Sequence, residues 1–323
     1  MIKREFTYIS LNHKTNIHAI VCFSNNGIFT RVLQMVHGMF EYIERYLPFF
    51  EYLTSKGFVV VGHDHLGHGQ SINTKDDLGF FGEPKPNELL MNDIHTLRLI
   101  IQQKFPKLPF FMAGHSMGSY LLREYISLKG EGLAGALIIG TGYQSPIKTT
   151  LGLCLCKIMR CFKGPRHRSK FCKKNILETG PYKKFDLTKS DENNSWITSD
   201  PKMAKIYNED QKMNFDFTLN GYIGLIEATK FSCDTLNISK IRKNLPILLV
   251  AGGSDPVGDF GKGVKKVYKK MKSAGILDVT MKLFENDRHE ILNEVNRCEV
   301  FEYINAWLDE KTILLNNNIH NIN

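Results

Sequence analysis

The chain of 323 residues has no run approaching the about 18 apolar residues that a membrane-crossing helix needs. Its first residues, Met1 to Phe6, are charged, and no apolar stretch follows them, which argues against a secretory signal. Cysteine is sparse: there are seven, an odd number, unevenly spread. That excludes a disulfide scaffold and leads us to expect free thiols in a reducing compartment. Internal repeats are absent. No recognised nucleic-acid fold or aromatic stacking platform accompanies the basic residues, so nucleic acid is not the expected partner. The sequence marks no obligate protein partner either, and a cytoplasmic location is expected.

What is present is ordinary in bulk. Hydrophobic residues make up 42% and charged residues 23%, enough to bury a sizeable core. Lys and Arg (42) exceed Asp and Glu (33), giving +9. Such a surplus either aids solubility or draws the protein to anionic surfaces, and its position in the chain has to decide.

The first half alternates short β-branched or aromatic runs with longer amphipathic ones. Strands are predicted at Ile17–Phe23, Arg31–Val36, Phe58–Val61, Pro109–Ala113 and Leu137–Gly140. Helices are predicted at Glu44–Leu53, Leu89–Lys104 and Gly118–Leu128. After Gly142 the pattern lapses into helical stretches and basic clusters without a clear strand. It resumes with strands at Pro246–Ala251 and Val279–Phe284 and helices at Lys262–Ala274 and Val295–Leu308. The economical reading is an α/β core (1–142 and 241–312), a mostly parallel sheet with helices on both faces. A helical cap (143–240) interrupts it, and an asparagine-rich tail (313–323) is expected to be disordered.

Chemistry concentrates at four strand ends. Gly114, His115, Ser116, Met117 and Gly118 form G-x-S-x-G directly between an apolar strand and an apolar helix. That context predicts a strained turn from which Ser116 projects clear of the sheet. The flanking glycines, lacking Cβ, let strand and helix approach. A second strand ends in His37-Gly38-Met39, where the following loop would supply one oxyanion donor, Met39 N–H, beside Met117 N–H. The third strand end carries Asp255, the fourth His289. The order Ser116, Asp255, His289 is the one in which α/β-hydrolases arrange their triads. His289 would act as the base for Ser116, and Asp255 would orient the imidazole. Asp259 lies further along the same loop, and Asp287 sits too close in sequence to His289 to orient its ring.

Two further stretches have competing readings. His63, His65 and His68 resemble the metal-binding run of metallo-β-lactamase-type hydrolases, but Gly67 stands where such sites place a carboxylate. The preferred reading is a loop ordered by Asp64 and its glycines, with no metal. The segment Lys157–Lys174 holds eight cations and no acid, and almost the entire +9 is attributable to it. An apolar run, Leu151–Met159, overlaps its start. Such a segment either lies in an anionic membrane interface or packs on the core with a solvated basic end. Zinc at its cysteines is disfavoured by their irregular spacing.

These blocks together resemble monoacylglycerol lipases and related lysophospholipases. The resemblance rests on His37–Glu41 followed by Arg45-Tyr46, on His63–Ser71, on Gly114–Gly118, on Gly253–Gly258 and on the run to His289-Glu290. It implies a triad of Ser116, Asp255 and His289, oxyanion donors at Met39 and Met117, a helical cap, no metal or organic cofactor, and single-chain acyl esters as substrates. The first part of the cap, rich in cysteine and lysine, departs from the family pattern. The alternatives are a general carboxylesterase or protein depalmitoylase on the same triad, and a non-catalytic lipid-binding protein. The last would ordinarily lack a triad member, and none is missing here.

Overall fold

The computed structural model describes residues 1–177, 180–185 and 195–320. The chain begins with strands β1 (Ile2–Ile9), β2 (Asn16–Phe23) and β3 (Arg31–Val36), then helix α1 (Leu47–Ser55) and β4 (Phe58–His63). There follow α2 (Pro86–Lys104), β5 (Phe110–His115), α3 (Met117–Leu128) and β6 (Gly135–Ile139). Between β6 and the next strand the described residues form helices, turns and one isolated bridge between Arg168 and Thr218: α4 (Pro146–Lys163), α5 (Lys170–Leu177), α6 (Pro201–Glu209), α7 (Leu219–Cys233) and α8 (Thr235–Ser239). The alternation returns with β7 (Ile247–Gly252), α9 (Lys262–Ser273), β8 (Val279–Phe284) and α10 (Arg297–His320).

The eight strands form one sheet in the order β1-β2-β4-β3-β5-β6-β7-β8. β1 and β2, and β2 and β4, pair antiparallel; every other pairing is parallel. The central strands are buried on both faces, so they read as continuous apolar runs rather than alternating ones. Their side chains still divide by the two-residue period. In β5, Phe110 and Met112 join the core that holds α2, α3 and α9, while Phe111 and Ala113 join the core that holds α1 and α10. The α/β architecture with helices on both faces is thus the one the alternation implied.

Three local differences have physical causes. β1 was not expected; as an edge strand pairing only with β2 it exposes Lys3, Arg4, Glu5 and Thr7, and its polar sequence hides it. The helix expected over Glu44–Leu53 starts as a 3-10 turn at Ile43–Tyr46, and α1 begins only at Leu47 with Pro48 in its first turn. Of the tail expected to be disordered, residues 313–320 continue α10, and Leu315 packs on the α1/α10 core. Residues 321–323 lie outside the described part.

Within the inserted segment, α7 is the anchor. It packs against α2 and α3 of the core and against α4. Thr218 caps it, accepting from Gly221 N–H while donating to the Gly79 carbonyl at 2.8 Å. α4 lies outside α7 and buries only Thr149 and Cys156.

Candidate active site

β5 passes into α3 with only Ser116 between them. Its φ of 53° and ψ of −119° fall where an L residue pays about 1–3 kcal/mol in strain. The consequence is exposure: from Phe110 to Ile126 every residue but Ser116 is buried. Glycine makes the turn possible. A Cβ on Gly114 would stand 2.3 Å from the Gly118 carbonyl oxygen, and one on Gly118 would stand 2.1 Å from the Val36 carbonyl oxygen. The second contact shows that α3 also presses on the end of β3. There Gly38 plays the same part, since a Cβ on it would lie 3.0 Å from Ser116 Cβ. The loop carrying Met39 is therefore held against the serine, and Met117, the next residue after it, opens α3. Phe40, next to Met39, has a φ of 62°.

Asp255 and His289 meet across the ends of β7 and β8. His289 Nδ1 lies 3.0 Å from Asp255 Oδ2, and both side chains are buried. The second carboxylate oxygen accepts from Val257 N–H at 2.8 Å, which fixes the acid's orientation. Neither rival acid takes this place. Asp259 is exposed. Asp287 is buried but turned away, its Oδ2 without a hydrogen-bond partner, and burial together with Glu294 pushes its carboxyl up to about 7. The His289 ring lies 4.8 Å from that of His115, the residue before the serine, and His115 Nε2 is 3.3 Å from the His289 carbonyl oxygen. The structure thus pairs Asp255 with His289 and sets both beside the turn of Ser116. Among the described residues it forms no hydrogen bond between Ser116 Oγ and the imidazole.

Behind these groups runs a buried polar network that sequence reasoning did not assign. Glu41 accepts from Gly38 N–H, from Tyr46 Oη at 2.7 Å and from His115 Nδ1 at 3.2 Å. Burial opposes charge on both members, but their contact outweighs it: the Glu41 carboxyl is held below its usual range and His115 is raised. Arg45 bridges Glu41 to Glu290, which follows His289, with bonds of 2.6 and 2.8 Å to the latter. The network therefore ties the Met39 loop, the serine turn and the histidine loop together. The Glu41/Arg45 spacing of four was its one visible signal.

Trp196, from the inserted segment, was missed altogether. Its ring lies 5.2 Å from that of His289. The chain around it is stitched to the histidine loop: Glu290 N–H donates to the Ile197 carbonyl at 2.7 Å, Arg288 to the carbonyls of Ser195 and Thr198, and Ser199 N–H to Glu294 at 2.9 Å. Nothing in local sequence spacing reports a contact across 93 positions.

The histidine run is a packing unit. His65 N–H donates to His37 Nε2 at 2.9 Å, His63 Nε2 lies 3.2 Å from His65 Nδ1, and His65 Nε2 lies 3.2 Å from the His37 carbonyl. Burial pushes His63 and His68 down to about 3, so they are neutral. Asp64 faces away from this group, accepting from Ile43 N–H and Gln70 N–H and pairing with His18. No group of three or more His, Cys, Asp or Glu among the described residues has the arrangement to hold a metal ion.

A strained serine turn after the fifth strand of a mostly parallel eight-stranded sheet, with an Asp–His pair at the ends of the last two strands, defines an α/β-hydrolase. The family described as serine aminopeptidase, S33, matches residues 29–296, and the chain belongs to it. Among curated proteins it is similar to human monoglyceride lipase, 25% identical over 285 residues, covering 85% of this chain and 81% of that one. Among solved structures it is similar to a thermostable carboxyl esterase from Bacillus coagulans, with a TM-score of 0.89 and 29% identity over 97% of this chain and 99% of that one. A lipase in its open form aligns with a TM-score of 0.86 and 26% identity, covering 96% and 99%.

Proposed function

We propose that the chain cleaves single-chain acyl esters, monoacylglycerols or lysophospholipids, through an acyl-enzyme on Ser116. That it is an ester hydrolase follows from its family and relatives. The observation that carries the catalytic assignment is the positive-φ, solvent-reaching Ser116 set beside the His289–Asp255 pair. In this reading His289 takes the proton as Ser116 Oγ attacks the ester carbonyl. Met39 N–H and Met117 N–H stabilise the oxyanion; one such donor is worth about 3–4 kcal/mol in comparable sites. The alcohol leaves with the proton from His289. Water, activated by the same imidazole, then frees the fatty acid.

The inserted segment supports a lipid substrate and peripheral binding to a membrane. Ile147, Leu151, Leu155, Ile158 and Phe162 lie at helical spacing along the outer face of α4, their exposure running from 41% at Leu155 to 86% at Phe162. Burying each side chain of this kind is worth roughly 2 kcal/mol. The cations contribute less than their number suggests. Lys157, Arg160, Arg166 and Lys173 already pair with Glu227, Glu83, Asp77 and Asp216. A second basic element, α9, carries six lysines and no acid, so the surplus charge is not confined to 157–174. The apolar stripe is the main attraction, with the unpaired cations adding preference for anionic lipid. Among the described residues no helix is long and apolar enough to cross a membrane.

The test is a hydrolysis panel of monoacylglycerols, lysophospholipids and short-chain nitrophenyl esters, with and without anionic vesicles. Long-chain monoacyl esters on vesicles should be the best substrates. A preference for acetyl esters would replace this reading with that of a general carboxylesterase, and fast release of palmitate from cysteine thioesters would indicate a depalmitoylase.

A further inference from the structure

The seven cysteines are all free, and among the described residues only Cys156 and Cys172 meet: their sulfurs are 3.7 Å apart. Cys156 is on the inner side of α4, one of only two buried residues of that helix, and Cys172 is in the first turn of α5. The contact is built into the surrounding chain. The turn between the helices is fastened to the start of α7, with Leu219 N–H donating to the His167 carbonyl at 2.8 Å and Asn220 N–H to the Pro165 carbonyl at 3.0 Å. Ser169, buried, accepts from Cys172 N–H at 3.3 Å. Of the other five cysteines, Cys22 and Cys233 are buried, the latter accepting from Arg123 Nη2 at 3.7 Å, and Cys154, Cys161 and Cys298 are exposed.

We propose that Cys156 and Cys172 are a redox-sensitive pair that closes to a disulfide when a hydroperoxide reaches this part of the molecule, fastening α4 to α5. A disulfide needs a sulfur separation of about 2.05 Å, so oxidation has to draw the two sulfurs together from van der Waals contact at 3.7 Å. The two thiols are unequal. Contact with Cys156 holds Cys172 below the usual thiol range, with Ser169 assisting against burial, and the same contact raises Cys156. Cys172 stands in the first turn of α5, where the free N–H groups of a helix favour an anion, so it is the attacking thiolate and Cys156 the resolving thiol.

The chemistry balances. Cys172 Sγ attacks one oxygen of the hydroperoxide and the O–O bond breaks. This leaves Cys172 as a sulfenic acid and releases an alcohol, or water from hydrogen peroxide, which takes up the thiol proton. Cys156 Sγ then attacks Cys172 Sγ, the S–O bond breaks, and water leaves with the Cys156 proton. Two thiols are oxidised and one peroxide is reduced. The inference is independent of the ester-hydrolase reading, because its readout is covalent.

The experiment treats the intact protein with hydrogen peroxide and follows intact mass, alkylatable thiols, peptide maps without reductant, and Tm. The expected result is loss of two hydrogen masses, a peptide pair joined through positions 156 and 172, reversal by dithiothreitol, and a Tm higher by a few degrees. Cys156→Ser and Cys172→Ser should each abolish the cross-link. A Cys154→Ser/Cys161→Ser/Cys298→Ser variant should keep it. The proposal is overturned if the mass does not fall, if Cys172 accumulates as sulfenic or sulfinic acid without cross-linking, or if the bond formed requires Cys154 or Cys161.

Discussion

The α/β core and the segment between β6 and β7 solve opposite problems. The core buries its strands on both faces and uses the resulting rigidity to hold Ser116 in a strained conformation. The segment leaves a row of large apolar side chains in the open along α4. On the proposed function, one region converts burial into placement of the reacting groups, and the other withholds burial for a lipid surface. Chemistry and substrate delivery would then be separable, except where Trp196 reaches His289.

The largest expected effects test the core alone. Ser116→Ala should lower hydrolysis of a nitrophenyl ester and of a vesicle-borne monoacylglycerol alike, by about 10⁴-fold or more, and Asp255→Asn should cost about 10⁴ in kcat. Steady-state kinetics with both substrates checks this; retained activity in Ser116→Ala would remove the triad assignment. At the contact between regions, Trp196→Ala should reduce kcat about tenfold on both substrates, since the imidazole loses its packing partner. An effect confined to the lipid substrate would mean that Trp196 serves delivery rather than the base. For the outer region, Ile158→Asp/Phe162→Asp should lower the rate on vesicles about tenfold and leave the soluble ester unchanged. Equal losses on both would break the separation.

The smallest effect concerns stability. The carboxyl of Asp287 titrates near 7 in the fold, above its unfolded value, so the folded state holds this proton more tightly. Its contribution is fully present below about pH 4 and is lost as pH rises through 7. Asp287→Asn should therefore raise Tm by a few degrees at pH 8 and change it little at pH 4, read by thermal scans across that range. Its activity should stay close to that of the unchanged protein, in contrast to Asp255→Asn.

Most of the fold was legible because the central strands are apolar on both faces and bounded by glycine, histidine or acid. Arg31–Val36 and Val279–Phe284 match to the residue. β1 was not legible because an edge strand owes its place to pairing rather than to burial. The contact of Asp255 with His289 was legible because each follows a strand, and the strand order sets the ends of β7 and β8 side by side. What local pattern could not show is contact between distant segments: the Glu41–His115 pair, the Trp196–His289 pair and the meeting of Cys156 with Cys172. Counting cations in 157–174 omitted the acids of Glu83, Asp77, Asp216 and Glu227 that fold onto them.

The stitching of residues 195–199 to the histidine loop also bears on how such a protein can be rebuilt from parts. Continuity along the chain assigns that stretch to the insertion, but its hydrogen bonds assign it to the core. A chimaera that grafts a foreign cap onto this scaffold should therefore keep 195–199 with the host and make its downstream junction before them. Cutting at the ends of β6 and β7 would remove the strip on which the histidine loop rests.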